Sequence, residues 1–280
     1  SFTTLSERPD KVRESTIEVA MDNLTVGLDP KKVSIFVESQ IPEIYELAAI
    51  YSMLVSHARA LRNPTIKDEI VMKGLGDTFS LGFVNYPLFQ AADITCVGAS
   101  LVPVGKDQLP HIEQTREVVE KFNNLYGDVL VKPEGLVGKV GKLIGTDGNP
   151  KMSKSLGNTI ELSASAEEVK KAVKAMYTDP GRIRATDPGK VEGNPVFVYH
   201  DSFNPNKEEV ADLKERYAKG AVGDVEVKER LTIALNNFLE PIREKRSYYE
   251  KHPDEVMDIL KEGTKKTRAE ASLTLEKVRE

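Results

Sequence analysis

Residues 101–112 read Leu-Val-Pro-Val-Gly-Lys-Asp-Gln-Leu-Pro-His-Ile. A short apolar run ends in Gly105, and a few polar residues then lead into Leu109, Ile112, Val118 and Phe122, which share one helical stripe. A strand that ends in glycine and hands over to a helix is the unit of an open parallel α/β sheet. Ligands of such sheets bind beyond the carboxyl ends of the strands, beside helix N-termini. Asp107 and Gln108 occupy that position, although Asp107 can equally serve as a simple N-cap.

Upstream, Val12, Ile17, Met21 and Leu24 approximate a helical stripe that Gly27 stops. Val33 to Val37 reads as a buried strand, and Glu43 to Leu61 as one long helix ended by Asn63-Pro64. That helix carries more apolar residues (Ile44, Leu47, Ile50, Tyr51, Leu54) than one buried face requires, which points to a homodimer. Pro87 is expected to open a helix bearing Leu88, Ala91, Ala92 and Thr95. Downstream, Gly135 to Gly157 holds five glycines before Lys151 and reads as a mobile loop. Beyond it the strand signal disappears. Ser165 and Glu168 have capping-box spacing, and from Lys207 the chain is helical, with Pro241 expected to bend or divide a helix. The expected plan is an α/β domain over residues 1–160, followed by an α-helical domain over 161–280.

Charge is nearly balanced, with 39 Lys plus Arg against 44 Asp plus Glu and a formal net charge of −5, which disfavours a generic DNA-coating protein. No apolar run is long enough to cross a membrane, and no signal peptide is visible. The single Cys96 excludes an intrachain disulfide, and the four histidines are too far apart for a short metal motif, so no protein metal site is expected. These features describe a soluble, cytoplasmic protein.

Two stretches carry chemistry. Lys151-Met152-Ser153-Lys154-Ser155, followed by Leu156-Gly157-Asn158, lies in the Gly-rich loop and can aim two cations at one polyanion. Phosphoryl chemistry needs that positioning and charge neutralisation more than it needs covalent help. The second stretch is Tyr86 to Ile94, where Gln90 and Asp93 share a helix face and Tyr86 can reach the same space. A carboxylate beside an amide and a phenol, in apolar surroundings, suits a small ligand with a buried donor.

The pentapeptide at 151–155 resembles the second signature of class I aminoacyl-tRNA synthetases. The strings at 102–116, the Ala91-Ala92-Asp93-Ile94 helix and 145–158 together resemble bacterial-type tryptophanyl-tRNA synthetases, in family order and over essentially the whole chain. The resemblance implies a Rossmann-like catalytic domain, then an α-helical anticodon-binding domain. It implies ATP-dependent activation of tryptophan and its transfer to tRNA(Trp), with ATP, Mg2+, tryptophan and tRNA(Trp) as cofactors and partners. By the same resemblance Lys151 and Lys154 are the catalytic cations on the ATP phosphates. Met152, Ser153, Ser155 and, one loop upstream, Val140 shape the nucleotide site, and Gly105, Lys106 and Asp107 face the ribose. Asp93 would accept the indole N–H with Gln90 beside it, Tyr86 and Gln108 would hold the ammonium group, and Val102 and Val104 would line the ring.

Tyr86, Gln90 and Asp93 do not by themselves name the substrate. Tyrosyl-tRNA synthetases use the same arrangement, and a phenol donates to a carboxylate as an indole does. The family's first signature, of the His-x-Gly-His type, has no match here, so the first strand and helix of the catalytic domain are expected to be missing. A catalytically silent paralogue or fragment that binds an amino acid or RNA is the reading of a different class.

Overall fold

The computed structural model describes residues 8–76, 78–138, 140–141, 143–150, 152–153, 156–182, 184 and 186–280. They form two compact units, Ser1–Lys139 with His252–Glu280, and Val140–Lys251. The sequence reading divides the chain at 160/161, whereas the compact units divide it at Val140 and return the last helix to the first unit.

The first unit contains α1 (Pro9–Thr25), α2 (Pro42–Leu54), the short α3 (His57–Ala60), α4 (Pro64–Lys73), α5 (Leu81–Thr95), β1 (Leu101–Val104), α6 (Leu109–Tyr126) and β2 (Glu134–Val137). The strands run parallel, Leu101 opposite Glu134 and Val104 opposite Val137, with α6 as their crossover. Ile44, Leu47 and Tyr51 of α2 pack against Leu88, Ala91 and Ala92 of α5 and Val118 and Phe122 of α6. The last helix, numbered α11 below, adds Ala271 and Leu275 to this core. The apolar residues of α2 that suggested a partner are therefore covered within the unit. Tyr45 and Met53 remain exposed, at 43% and 82%.

The second unit packs α7 (Ala166–Ala175), α8 (Pro195–Phe203), α9 (Lys207–Ala218) and α10 (Asp224–Lys251) around Val173, Phe197, Leu213, Tyr217, Leu231 and Leu235. The capping box at the start of α7 forms as the spacing predicts: Ser165 Oγ accepts the Glu168 N–H and Glu168 accepts the Ser165 N–H. Helix α11 (Pro253–Arg279) follows and belongs to the first unit.

Several local expectations are corrected. Val33 to Val37 is not a strand: the Val37 N–H donates to Thr264 Oγ1 of α11 at 3.2 Å, and the Ile35 backbone lies against Gly263. The helix expected over Glu43–Leu61 breaks at Val55–Ser56, where extended backbone lets Ser56 accept the Arg59 N–H and restart the chain as α3. Pro87 does not open α5. Ser80 caps that helix by accepting the Phe83 N–H, and Pro87 is buried inside it. Of the bend or division expected at Pro241, the division does not occur, since α10 continues from Asp224 to Lys251. The start of the Gly-rich stretch is β2, not loop, because its apolar Leu136 and Val137 find a ladder partner in β1.

Candidate functional site

Helix α5 presents Tyr86, Gln90 and Asp93, all half-buried. Asp93 Oδ1 is buried with no hydrogen-bond partner. Burial, helped by the charge of Glu38, pushes the Asp93 carboxyl up to about 7. The same two charges face the Tyr45 phenol, whose pKa is raised chiefly by burial, and Tyr45 meets Phe89 edge to face at 5.7 Å. Beneath Asp93, the Cys96 Sγ donates to the Asp93 carbonyl at 3.2 Å, and burial pushes its thiol up to about 12. Glu38 and Tyr45 are neighbours that sequence reading missed, since nothing in the chain between residues 38 and 93 marks them as belonging to one place.

Tyr86 is held from the side of α6. Its hydroxyl is 3.1 Å from His111 Nε2. His111 Nδ1 lies 3.0 Å from Asn63 Nδ2, which also donates to Gln114 Oε1 at 2.7 Å. Asn63, the N-cap of α4, accepts the Thr65 N–H on Oδ1 at 3.0 Å, which fixes the orientation of its amide. An amide nitrogen only donates, so Nδ1 accepts and the ring hydrogen is on Nε2, donating to Tyr86. Asn63, His111 and Gln114 are each 1% exposed. Burial holds the His111 pKa below its usual value although Glu69 and Asp107 act against it. Burial and the Glu69 carboxylate raise the Tyr86 phenol. Asn63, Glu69 and His111 were not among the expected contacts.

Val102 and Val104 share the half-buried face of β1, opposite to exposed Leu101 and Pro103. Gly105 and exposed Lys106 and Asp107 lead to Gln108, which is the N-cap of α6 but makes no side-chain cap bond. Asp107 is thus not an N-cap. Its Oδ2 accepts Gln108 Nε2 at 3.1 Å, and its Oδ1 lies over Gly105, 2.6 Å from where a Cβ would stand. At the N-terminal turn of α6 the Leu109 N–H donates to the Lys106 carbonyl, and Pro110 has no N–H to offer.

In the second unit, Lys151, Lys154 and Ser155 lie outside the described residues. Val140 is 60% exposed. Met152 packs against the α7–α10 core, and the Ser153 N–H donates to Asn158 Oδ1 at 2.9 Å. Several basic residues of the last two helices are engaged within their own units. Arg243 donates to the Ala164 carbonyl and to Asn236 Oδ1, both at 2.7 Å, and Arg246 pairs with Glu250. Arg268 of α11 pairs with Glu43 of α2. Among the described residues no cluster of three His, Cys, Asp or Glu forms a metal site, and no helix is long and apolar enough to cross a membrane.

The family profile described as tRNA synthetases class I (W and Y) matches residues 2–240, and the chain belongs to this family. Its similar curated relatives are tryptophan–tRNA ligases. That of Clostridium longisporum is 50% identical over 283 residues, covering 100% of this chain and 83% of the relative. That of Streptococcus mutans is 50% identical over 285 residues, covering 100% and 84%. The crystal structure of tryptophanyl-tRNA synthetase from Campylobacter jejuni, complexed with ADP and tryptophan, matches with a TM-score of 0.83 at 33% identity, over 98% of this chain and 84% of that one.

Proposed function

We propose that the protein activates tryptophan with ATP and transfers it to tRNA(Trp). The observation that carries the proposal is the unpartnered buried Asp93 Oδ1 on α5. A buried carboxylate oxygen left without a donor is costly, and a ligand that brings an N–H into apolar surroundings relieves that cost. The similarity to tryptophan–tRNA ligases at half identity supports an indole as that donor.

In this reading Asp93 accepts the indole N–H beside Gln90, Val102 and Val104 flank the ring, and Tyr86 and Gln108 hold the ammonium group. The substrate carboxylate attacks the α-phosphate of ATP and pyrophosphate leaves. A terminal hydroxyl of the tRNA then takes the acyl group from the adenylate, the acyl–phosphate bond breaks, and AMP leaves. Gly105, Lys106 and Asp107 meet the ribose, while Val140, Met152, Ser153 and Ser155 border the nucleotide. Lys151 and Lys154 neutralise charge on the leaving phosphates, where such a contribution is worth about 3 kcal/mol. Mg2+, which would be carried by the nucleotide rather than by protein ligands, would supply further positive charge for the reaction. The helical second unit meets the tRNA, the protein works as a homodimer, and the reaction belongs to the cytoplasm.

Calorimetry with tryptophan, tyrosine and phenylalanine tests the substrate. Tryptophan binds and phenylalanine, which offers no donor, is rejected. Tighter binding of tyrosine than of tryptophan overturns the tryptophan assignment in favour of the phenol. A monomer by light scattering at micromolar concentration overturns the dimer.

A further inference from the structure

In the Gly-rich loop, residues 144–149 are tied to the described residues 153 and 156–158 by the Asn158 side chain. Asn158 is 2% exposed. Its Oδ1 accepts the Ser153 N–H at 2.9 Å, its Nδ2 donates to Asp147 Oδ1 at 3.0 Å, and its backbone carbonyl accepts the Thr146 N–H at 3.0 Å. Asp147 also takes the Asn149 N–H at 3.0 Å, and these donors hold its carboxyl below the usual value.

Space is reserved for this clip. A Cβ at Gly145 would run into both Asn158 Nδ2 and Asp147 Oδ1. Residues 144–149 are anchored in turn. The Tyr177 N–H donates to the Thr146 carbonyl at 2.9 Å, the Tyr199 hydroxyl donates to the Ile144 carbonyl at 3.2 Å, and the Tyr177 ring stands 3.5 Å from the Cβ position of Gly148. Through Asp147 and Asn158, a segment fixed on the helical core thus sets the backbone of Ser153, the residue that precedes Lys154 in the chain.

We propose that Asn158 is a positioning residue for nucleotide binding: its amide, paired with Asp147, fixes the Ser153 backbone of the phosphate-binding loop. The proposal rests on the reading of that loop given above. The hydrogen bond has a direction, since Nδ2 donates and the carboxylate accepts. Asn158→Asp therefore sets two carboxylates against each other, whereas Asn158→Ala removes the amide without adding a charge.

The test is calorimetry with a non-hydrolysable ATP analogue and, separately, with tryptophan, together with hydrogen exchange at the Ser153 amide. Asn158→Asp is expected to weaken analogue binding about tenfold and Asn158→Ala somewhat less, a loss equivalent to one hydrogen bond at a charged group. In both variants Ser153 exchanges faster and tryptophan affinity stays within about twofold, a difference small beside the tenfold step of one such bond. Two results overturn the proposal: unchanged analogue affinity in Asn158→Asp despite faster exchange at Ser153, or equal losses for analogue and tryptophan. A parent protein that binds tryptophan but no analogue overturns the nucleotide reading of the loop as well, and slow exchange at Ser153 then leaves Asn158 as a structural clip only.

Discussion

His111 donates its Nε2 hydrogen to the Tyr86 hydroxyl across 3.1 Å, and the residue that decides this is Asn63, on the far side of the ring. Because Asn63 spends Oδ1 on capping α4, only its amide hydrogens face Nδ1. A helix cap thereby sets a tautomer, and the tautomer sets which way the phenol hydrogen can point.

The first prediction concerns that ring. His111 is expected to be the Nε2–H tautomer and to remain neutral below the usual histidine range, which nitrogen chemical shifts would report. Its folded pKa is depressed by burial, as is that of His200. Each contributes stability that is present above the unfolded value and lost as pH falls through the folded one. A ring found protonated at pH 7, or protonated on Nδ1 alone, contradicts the hydrogen-bond assignment.

Asp93 gives the opposite sign. Its folded pKa is about 7, above the ordinary carboxylate value of 3.8. Its contribution to stability in the free protein is therefore present below that ordinary value and fades as pH rises through about 7. Tryptophan needs the ionised acceptor, so binding should tighten by up to about tenfold between pH 6 and 8 as the carboxylate ionises. In Asn at this position the rise disappears, and Asp93→Ala costs about 1–3 kcal/mol of binding. A flat profile in the parent protein, measured by calorimetry, removes Asp93 from the substrate contacts.

Lys154→Ala should slow tryptophan-dependent pyrophosphate exchange about 100-fold or more, because the lost cation acts on charge that develops at the leaving phosphates. Tryptophan affinity should change little. Unchanged exchange at saturating ATP removes the loop from the chemistry.

Gly263 tests the docking of the last helix. A Cβ there would run into the Ile35 backbone, carbonyl oxygen first. Gly263→Ala gains helix propensity but forces α11 and the 33–37 segment apart, and overpacking of this kind costs about 1–3 kcal/mol. Thermal unfolding should shift down. A variant as stable as the parent means that the contact yields without strain.

What the sequence determined by itself was local or periodic. The glycine-ended run at 101–105, the stripe of α6 and the Ser165 capping box depend on residues a few positions apart, and each forms as the spacing predicts. The signature at 151–155 was legible because its chemistry is held in consecutive residues. Local rules failed where a distant partner outweighed them. Pro87 and Pro241 sit inside helices whose other contacts outweigh a missing backbone bond. The β-branched run at 33–37 found α11 in place of a strand. The surroundings of the candidate pocket belong to tertiary structure alone. Glu38 beside Asp93, Glu69 and His111 around Tyr86, and Asn63 behind His111 are brought to α5 from the segment before α2, from α4 with its cap, and from α6. Burial and charge at such a place are sums over neighbours in space, which no spacing along the chain encodes.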